Sequence, residues 1–252
     1  MPHFDILKVK DEADKIFKTK PGLFDIPFKI AIIGKSQISL GKSSLILNLL
    51  LRDKYYKNDF RKGEDIYIVT NNKIDNKLKI LQEEKDIPDS NIMKYDEDII
   101  DALYDILEDD YLLNENKSRK LIIFDDVAFS GKLKDKQAGV LSRIVMNGRH
   151  INLSSIFTTQ KASLISTSIR SQLTGALIGS VSNKELGLIE QDFNFLESGR
   201  SNDFFRLFRK ATGGGPRDFI VINFTEPGIY FNKNFEPLLK DKDKEDKDKE
   251  KE

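Results

Sequence analysis

The stretch GKSQISLGKSSLILNLL, residues 34–50, decides the fold because it joins a strand to a helix through a glycine-containing turn. The residues before the turn, FKIAIIG at 28–34, form an apolar run typical of a buried strand. In the helix predicted at 42–53, leucine and isoleucine recur at helical spacing. A strand that leads through such a turn into a helix N-terminus is a phosphate-binding arrangement.

The tripeptide Gly-Lys-Ser occurs twice in this stretch, with its two lysines seven residues apart. It ends the loop G-x-x-x-x-G-K-[ST], in which the lysine reaches the phosphates and the hydroxyl ligates Mg²⁺. The copy at 41–43 opens the predicted helix, whereas the copy at 34–36 opens none. We therefore assign nucleotide binding to Gly34, Gly41, Lys42, Ser43 and Ser44, with Ser43 also a metal ligand. The loop has six residues between its outer glycines where four are usual.

A second apolar strand, KLIIFDD at 120–126, ends in two carboxylates. Ligands of parallel α/β sheets bind at the carboxyl ends of the strands. Asp125 is therefore placed to hold Mg²⁺, and Asp126 to orient or deprotonate an attacking water. Glutamate is commoner than aspartate at the second position, and the shorter side chain has less reach. A solvated turn is the alternative interpretation of two such acids considered alone.

The strand predicted at 151–160, INLSSIFTTQ, ends in polar side chains. In NTPases with a strand between the phosphate-loop strand and the acidic strand, a polar residue at this place senses the γ-phosphate. Gln160 suits that role, since an amide both donates and accepts hydrogen bonds. The alternative is an amide that caps the next helix.

Arginines near these motifs are candidates for a catalytic group supplied to a neighbouring subunit. An arginine provided in trans accelerates phosphoryl transfer by about 10³–10⁵. Arg149, at a glycine break in NGRH just before the strand at 151–160, is the best placed. Arg170 and Arg143 are rivals, and a plain surface salt bridge is the alternative for each of the three.

Strands and helices alternate along the rest of the chain, which predicts an α/β protein with a mostly parallel sheet flanked by helices, of the P-loop NTPase class. Further strands are predicted at 65–70, 175–180 and 218–224, with an edge piece at 228–231. Helices are predicted at 10–18, 73–85, 96–113, 133–147 and 163–171, and residues 182–210 are predicted to be mostly helical. The apolar face of the helix at 96–113 is predicted to comprise Ile99, Ala102, Leu103, Ile106 and Leu107.

These elements divide the chain into an N-terminal lead-in at 1–27, an ATPase domain at 28–224, an edge segment at 225–239 and a charged, disordered tail at 240–252. The absence of cysteine excludes thiol chemistry, and two histidines make a zinc site unexpected. Neither a signal core nor an apolar run of about 20 residues is present, so we expect a protein of the host-cell cytoplasm without a membrane partner. The formal net charge is zero, so a polyanion would need a local basic patch.

The phosphate-loop stretch, the acidic strand and the segments MNGRHINLSSIFTTQ and IRSQLTGALI together resemble the viral genome-packaging ATPases of the FtsK/HerA type. These include the poxvirus-like packaging ATPases of large DNA viruses and the ATPases of Picovirinae-type podophages. The resemblance covers roughly 28–224. The resemblance implies that Lys42 and Ser43 bind the nucleotide and its metal ion, and that Asp125 and Asp126 are the acidic pair. It also implies that Gln160 senses the γ-phosphate and that Arg149 is the arginine supplied to a neighbouring subunit.

The resemblance implies a homo-oligomeric ring, a pentamer or hexamer, that uses ATP and Mg²⁺ to translocate double-stranded DNA through a portal into a procapsid. The segments 130–136 and 206–217 are basic and are candidates to face the DNA, with a solvated loop as the alternative for each. Two other functions fit the same motifs. One is a host-type or plasmid-mobilising DNA translocase, and the other is a nucleotide-dependent assembly switch that hydrolyses slowly.

Overall fold

The computed structural model describes residues 16–35, 40–71, 76–113, 117–127, 139–226 and 228–238. Across these residues the strands are β1 (Lys29–Ile33), β2 (Ile66–Thr70), β3 (Ile92–Met93), β4 (Lys120–Asp125), β5 (Leu153–Thr159), β6 (Gly175–Ile178), β7 (Ile220–Asn223) and β8 (Tyr230–Phe231). They form one sheet in the order β3-β2-β4-β5-β1-β6-β7-β8. Every pairing from β3 to β6 is parallel, while β7 and β8 are antiparallel. The predicted mostly parallel sheet is confirmed.

Helices cover both faces of this sheet. They are α1 (Lys42–Leu51), α2 (Asn76–Lys85), α3 (Glu97–Leu113), α4 (Val140–Asn147), α5 (Thr167–Arg170), α6 (Asn183–Phe193) and α7 (Ser201–Thr212). Helices α1 and α2 pack on one face, and the others on the opposite face. Side chains of β1 alternate between the two cores, as the pleat of a strand requires: Ile30 and Ile32 enter one, Ala31 and Ile33 the other.

The predicted apolar face of α3 was wrong: the buried face is rotated from it about the helix axis by about one residue. Its buried side chains are Ile100, Leu103, Tyr104, Leu107 and Tyr111. Ile99 is 51% exposed and Ile106 is 64% exposed. Both apolar stripes obey helical spacing, but the two tyrosines lie on the inner one and bury more surface than the isoleucines do. Burial raises the pKa of Tyr104 to about 12.

Three other helix predictions need correction. Of the helix predicted at 10–18, residues 10–15 lie outside the described residues, and Phe17 pairs in an extended conformation with Ile26. The region 182–210 breaks between α6 and α7, because the Tyr230 hydroxyl donates to the Phe193 carbonyl and accepts the N–H of Phe195. The prediction at 163–171 becomes a 3₁₀ turn followed by the short α5. The strand β3 was not predicted.

The ends of the chain bear on the predicted domain limits. Residues of the lead-in, among them Leu23, Phe24 and Ile26, are buried in the core beneath α1 and α2. The predicted edge piece is β8, next to β7. The tail at 240–252 and the predicted basic segment at 130–136 lie outside the described residues. Within the parts of the chain that the structure describes, no helix has the length and apolar character needed to cross a membrane.

Candidate nucleotide-binding site

The motifs predicted from the sequence meet at one edge of the sheet, where β1, β4 and β5 end. Strand β5 lies between β1 and β4, as the sequence predicted. Ile33 pairs with Thr159, and Phe124 pairs with Phe157. The next residues along each strand are therefore neighbours, which brings Gly34, the acidic pair and Gln160 to the same edge.

The helix N-terminus is built as a phosphate site requires. Gly41 adopts φ 60° and ψ 61°, a left-handed conformation that glycine reaches without strain, and α1 begins at the next residue, Lys42. The Leu45 N–H donates to the Gly41 carbonyl at 2.9 Å, which closes the first helical turn. Among the described residues no side chain caps this N-terminus, and its first N–H groups and the helix dipole suit an anion.

Leu40 fixes the return of the long loop to the sheet. It is 4% exposed. A Cβ added to Gly34 would lie 3.1 Å from the Leu40 Cβ, and one added to Gly179 would lie 3.2 Å from it. Leu40 therefore fits over two glycines at the ends of neighbouring strands β1 and β6. Residues 36–39, which contain most of the loop's extra length, lie outside the described residues.

Lys42 and Asp126 face each other across the site. Lys42 is 6% exposed, and its Nζ lies 3.5 Å from the Gly34 carbonyl oxygen and 3.5 Å from Asp126 Oδ1. That carboxylate oxygen is buried and has no hydrogen-bond partner among the described residues. An acceptor without a hydrogen bond beside a buried lysine is the kind of atom that a reacting water or a metal-bound water would engage. The second Gly-Lys-Ser, not the first, therefore meets the acidic strand.

The backbone at Asp126 explains why this position is not glutamate. Its φ is 50°, in the left-handed region that Asp and Asn enter far more readily than other non-glycine residues. The chain turns sharply there as it leaves β4, and the turn directs the short carboxylate towards Lys42. The predicted departure from glutamate thus has a local conformational cause.

Thr158 orients both acids, and the sequence analysis gave it no role. Its side chain is fully buried at the end of β5. Its Oγ1 donates to Asp125 Oδ1 at 2.8 Å and accepts the Asp126 N–H at 2.9 Å. Thr70, buried at the end of β2, is the register partner of Asp125. Hydroxyls at the carboxyl ends of otherwise apolar strands were the available signal.

Gln160 follows directly after β5 and is half-buried, next to the start of the phosphate loop. Ser43 and Ser44 occupy the first turn of α1 and are also half-buried. The geometry therefore brings together all the predicted site residues of one protomer: Gly34, Gly41, Lys42, Ser43, Ser44, Asp125, Asp126 and Gln160.

Arg149 does not join them. It is exposed in the 3₁₀ turn before β5, at the amino ends of the strands, on the opposite edge of the sheet from the phosphate loop. Burial, together with the positive charge of Arg149, lowers the pKa of Lys29 at the start of β1. From this edge Arg149 has no access to its own protomer's site, and a role in trans would have to be directed at another copy.

The two rival arginines are held within the protomer. Arg170 is 8% exposed; its Nε donates to Asp192 at 2.7 Å, its Nη1 donates to the carbonyls of Ala162 and Ile165, and its Nη2 donates to the Thr167 hydroxyl. Arg143 forms ion pairs with acids of α3, Asp101 among them, and its guanidinium lies over the Tyr104 ring. Of the three, Arg149 is the exposed one.

The residues present fit a nucleotide-bound Mg²⁺ better than a metal held by protein alone. Among the described residues, no group of three or more His, Cys, Asp or Glu side chains could hold a metal ion. Magnesium is commonly held by one or two protein oxygens together with substrate phosphates and water. The Asp125 carboxylate and the Ser43 hydroxyl supply that limited set, and the unbonded oxygen of Asp126 suits an adjacent water.

In this mostly parallel sheet, a glycine turn leads to a buried lysine that opens a helix. An acidic strand faces that lysine, and a strand that ends in polar side chains lies between the two. This arrangement defines a P-loop ATPase. The sequence matches the model of the Poxvirus A32 protein family over residues 15–223. The chain therefore belongs to that family of genome-packaging ATPases. No curated protein matches the sequence.

Solved structures share the fold. The genome-packaging NTPase B204 of Sulfolobus turreted icosahedral virus 2, in complex with ATP-gammaS, matches with a TM-score of 0.56 and 15% identity over 84% of this chain and 98% of its own. B204 of Sulfolobus turreted icosahedral virus, described as a DNA-packaging ATPase, matches with a TM-score of 0.56 and 17% identity, covering 85% and 98%. EssC ATPases 2 and 3 of Geobacillus thermodenitrificans match with a TM-score of 0.54 and 15% identity, covering 78% and 38%.

Proposed function

We propose that this chain is an ATP-hydrolysing motor that translocates double-stranded DNA into a viral procapsid as a homo-oligomeric ring. The observation that carries the proposal is the buried pair of Lys42 and Asp126 at the carboxyl edge of the sheet, in a chain of a packaging-ATPase family. The structures of B204 with ATP-gammaS and with AMPPCP support ATP as the nucleotide.

Each residue of the site has a defined task in hydrolysis. The N-terminus of α1 and the Lys42 ammonium bind the phosphates and favour the negative charge that spreads over the γ-phosphoryl oxygens. Ser43 and Asp125 would hold Mg²⁺, which would supply positive charge to offset the negative charge of the phosphates. Asp126 accepts a hydrogen bond or a proton from the attacking water at Oδ1. Its position depends on Thr158, which holds its N–H.

Coupling to DNA movement is assigned to the ends of β5. Gln160, at the carboxyl end, contacts the γ-phosphate and reports its presence through the strand and the turn that follows. Arg149, before the amino end of the strand, projects towards the nucleotide of a neighbouring copy. The ring as a whole has a portal and a procapsid as further partners. Because Gln160 and Arg149 flank the two ends of β5, this strand links the nucleotide of one protomer to the arginine that the protomer offers its neighbour.

The test is the ATPase rate of the purified chain alone, with double-stranded DNA, and with DNA plus purified empty capsids. Strong stimulation that needs both DNA and capsids is expected. Stimulation by DNA alone to the full extent would favour the host-type or plasmid-mobilising translocase. Slow turnover that DNA leaves unchanged, and that Arg149→Ala also leaves unchanged, would contradict a ring motor and favour the assembly switch.

A further inference from the structure

Helix α7 presents a cationic face that the nucleotide site does not use. Its inner side packs Phe204, Leu207, Phe208 and Ala211 into the core. Its outer side exposes Arg206, Arg209 and Lys210, together with Asn202. A depression on this side is lined by Asn202, Phe205, Arg206 and Arg209, which lie at spacings of three and four residues and therefore share one face of the helix.

These cations are not part of an ion-pair network within the protomer. No carboxylate in the described parts of the chain lies within 4.0 Å of the charged nitrogens of Arg206, Arg209 or Lys210. By contrast, Arg143 and Arg170 are each held by acids of neighbouring helices. Arg206 lies three and four residues from Arg209 and Lys210, and like charges at these spacings repel each other, although Arg209 and Lys210 in the last turn also interact favourably with the helix dipole.

The charge of this sheet face is strongly divided. At the far end of the same face, α3 exposes Glu97, Asp98, Asp101, Asp105 and Asp109. Because the chain has a formal net charge of zero, a polyanion would be repelled at α3 and attracted at α7. The overall composition therefore does not reveal the local excess of positive charge at α7.

We propose that the outer face of α7, residues 202, 206, 209 and 210, binds the phosphate backbone of double-stranded DNA. The inference rests on the proposed function and names the surface that performs it. Two guanidinium forks and an amide suit phosphate oxygens. Contacts of this kind fix position without reading sequence, as a motor that moves along any DNA requires.

The location of α7 connects this surface with the site. Strand β7 is antiparallel to β6, and Ile220 pairs with Ile178. The connection from α7 to β7, with Arg217 and the glycines at 213–215, therefore reaches the edge of the sheet at which the nucleotide site lies. There Gly179, directly after β6, packs against Leu40 of the phosphate loop.

The test measures how the affinity for a dye-labelled 30-base-pair duplex of arbitrary sequence depends on salt. Fluorescence anisotropy is recorded at 50–200 mM salt for the full chain, for Arg206→Gln/Arg209→Gln and for a matched control, Arg52→Gln/Lys79→Gln. The control removes the same charge from exposed residues of α2 and the end of α1, on the other face of the sheet. DNA-independent ATPase activity checks that both variants are folded.

The loss of two phosphate contacts should reduce the slope of log K against log salt by about 1.8, since each contact contributes about 0.9. Between 50 and 200 mM salt the wild type should therefore lose roughly 12-fold more affinity than the α7 variant does. The control should keep the wild-type slope.

Three outcomes would overturn the inference. A wild-type slope in the α7 variant would show that this face does not bind phosphates, while DNA-dependent function would stand. A wild-type slope with altered self-association in sedimentation velocity would instead assign the face to the acidic α3 of a second copy. If the wild type binds no duplex and DNA together with empty capsids leaves its ATPase rate unchanged, the inference and the proposed function fail together.

Discussion

Thr158 provides a sharp test of how the acidic pair is held. The change Thr158→Val keeps the shape of a fully buried side chain but removes the hydroxyl that bonds Asp125 at 2.8 Å and the Asp126 N–H at 2.9 Å. Both acids then lose the contact that orients them, while the core stays filled. Thr158→Ser is the matched control, because it keeps the hydroxyl and removes the methyl.

The magnitude follows from the two hydrogen bonds. A bond to a charged group contributes about 1.5–3 kcal/mol, and a buried N–H left without a partner costs about 1–3 kcal/mol. The additional apolar group of valine offsets about 0.8 kcal/mol of this. We expect a net loss of about 2–5 kcal/mol in the free energy of unfolding for Thr158→Val, and about 1 kcal/mol for Thr158→Ser.

Activity should separate the two variants more clearly than stability does. Groups that hold a metal ligand typically contribute about 10–100-fold to activity, so Thr158→Val should lose ATPase activity by that factor. Thr158→Ser should stay close to the wild type. Urea denaturation gives the stabilities, and steady-state hydrolysis gives the rates. If Thr158→Val hydrolyses ATP at the wild-type rate, or if Thr158→Ser is the more impaired, the hydroxyl does not orient the acids.

Three further changes probe the site and its surroundings. Asp126→Asn should fold cooperatively, because asparagine tolerates the left-handed backbone at this position. The variant should lower kcat by about 10²–10⁴, with single-turnover kinetics to isolate the hydrolysis step, and a wild-type kcat would show that Asp126 takes no part in the reaction. Gly41→Ala should cost about 1–2 kcal/mol of stability in thermal unfolding, since φ is 60° and an added Cβ meets nothing closer than 3.5 Å; an unchanged melting curve would refute the conformational role. Arg170→Gln should destabilise the protein by about 3–5 kcal/mol, because it leaves Asp192 without its partner. Arg149→Gln should change stability by under about 0.5 kcal/mol. Equal urea midpoints for the two variants would contradict the conclusion that Arg170 is structural and Arg149 is not.

Much of the site could be predicted because its signals are local. A strand, a turn and a helix that follow one another in sequence fix the positions of Gly41 and Lys42. The acidic strand and the strand ending in Gln160 are apolar runs that end in polar side chains, which places those side chains at one edge of a parallel sheet. The position of β5 between β1 and β4 was expected from the class of NTPase, whereas the order of the other five strands was not predicted.

What could not be predicted depends on contacts between distant segments. The fit of Leu40 over Gly34 and Gly179 joins two strands and the phosphate loop, and no pattern within one segment reveals it. The left-handed turn at Asp126 depends on how β4 leaves the sheet. On α3 two apolar stripes were available, and the tyrosines that decide between them were not counted as core residues. The break after Phe193 depends on Tyr230, far along the chain.

ATP hydrolysis by Lys42→Ala and by Lys35→Ala tests most directly whether the second Gly-Lys-Ser holds the nucleotide. Lys42 is 6% exposed and faces Asp126, whereas Lys35 is exposed. Lys42→Ala should lower the rate by about 10²-fold or more, as expected for the loss of a group that stabilises transition-state charge. Lys35→Ala should hydrolyse ATP at close to the wild-type rate. Intact hydrolysis in Lys42→Ala together with its loss in Lys35→Ala would contradict the assignment of the site.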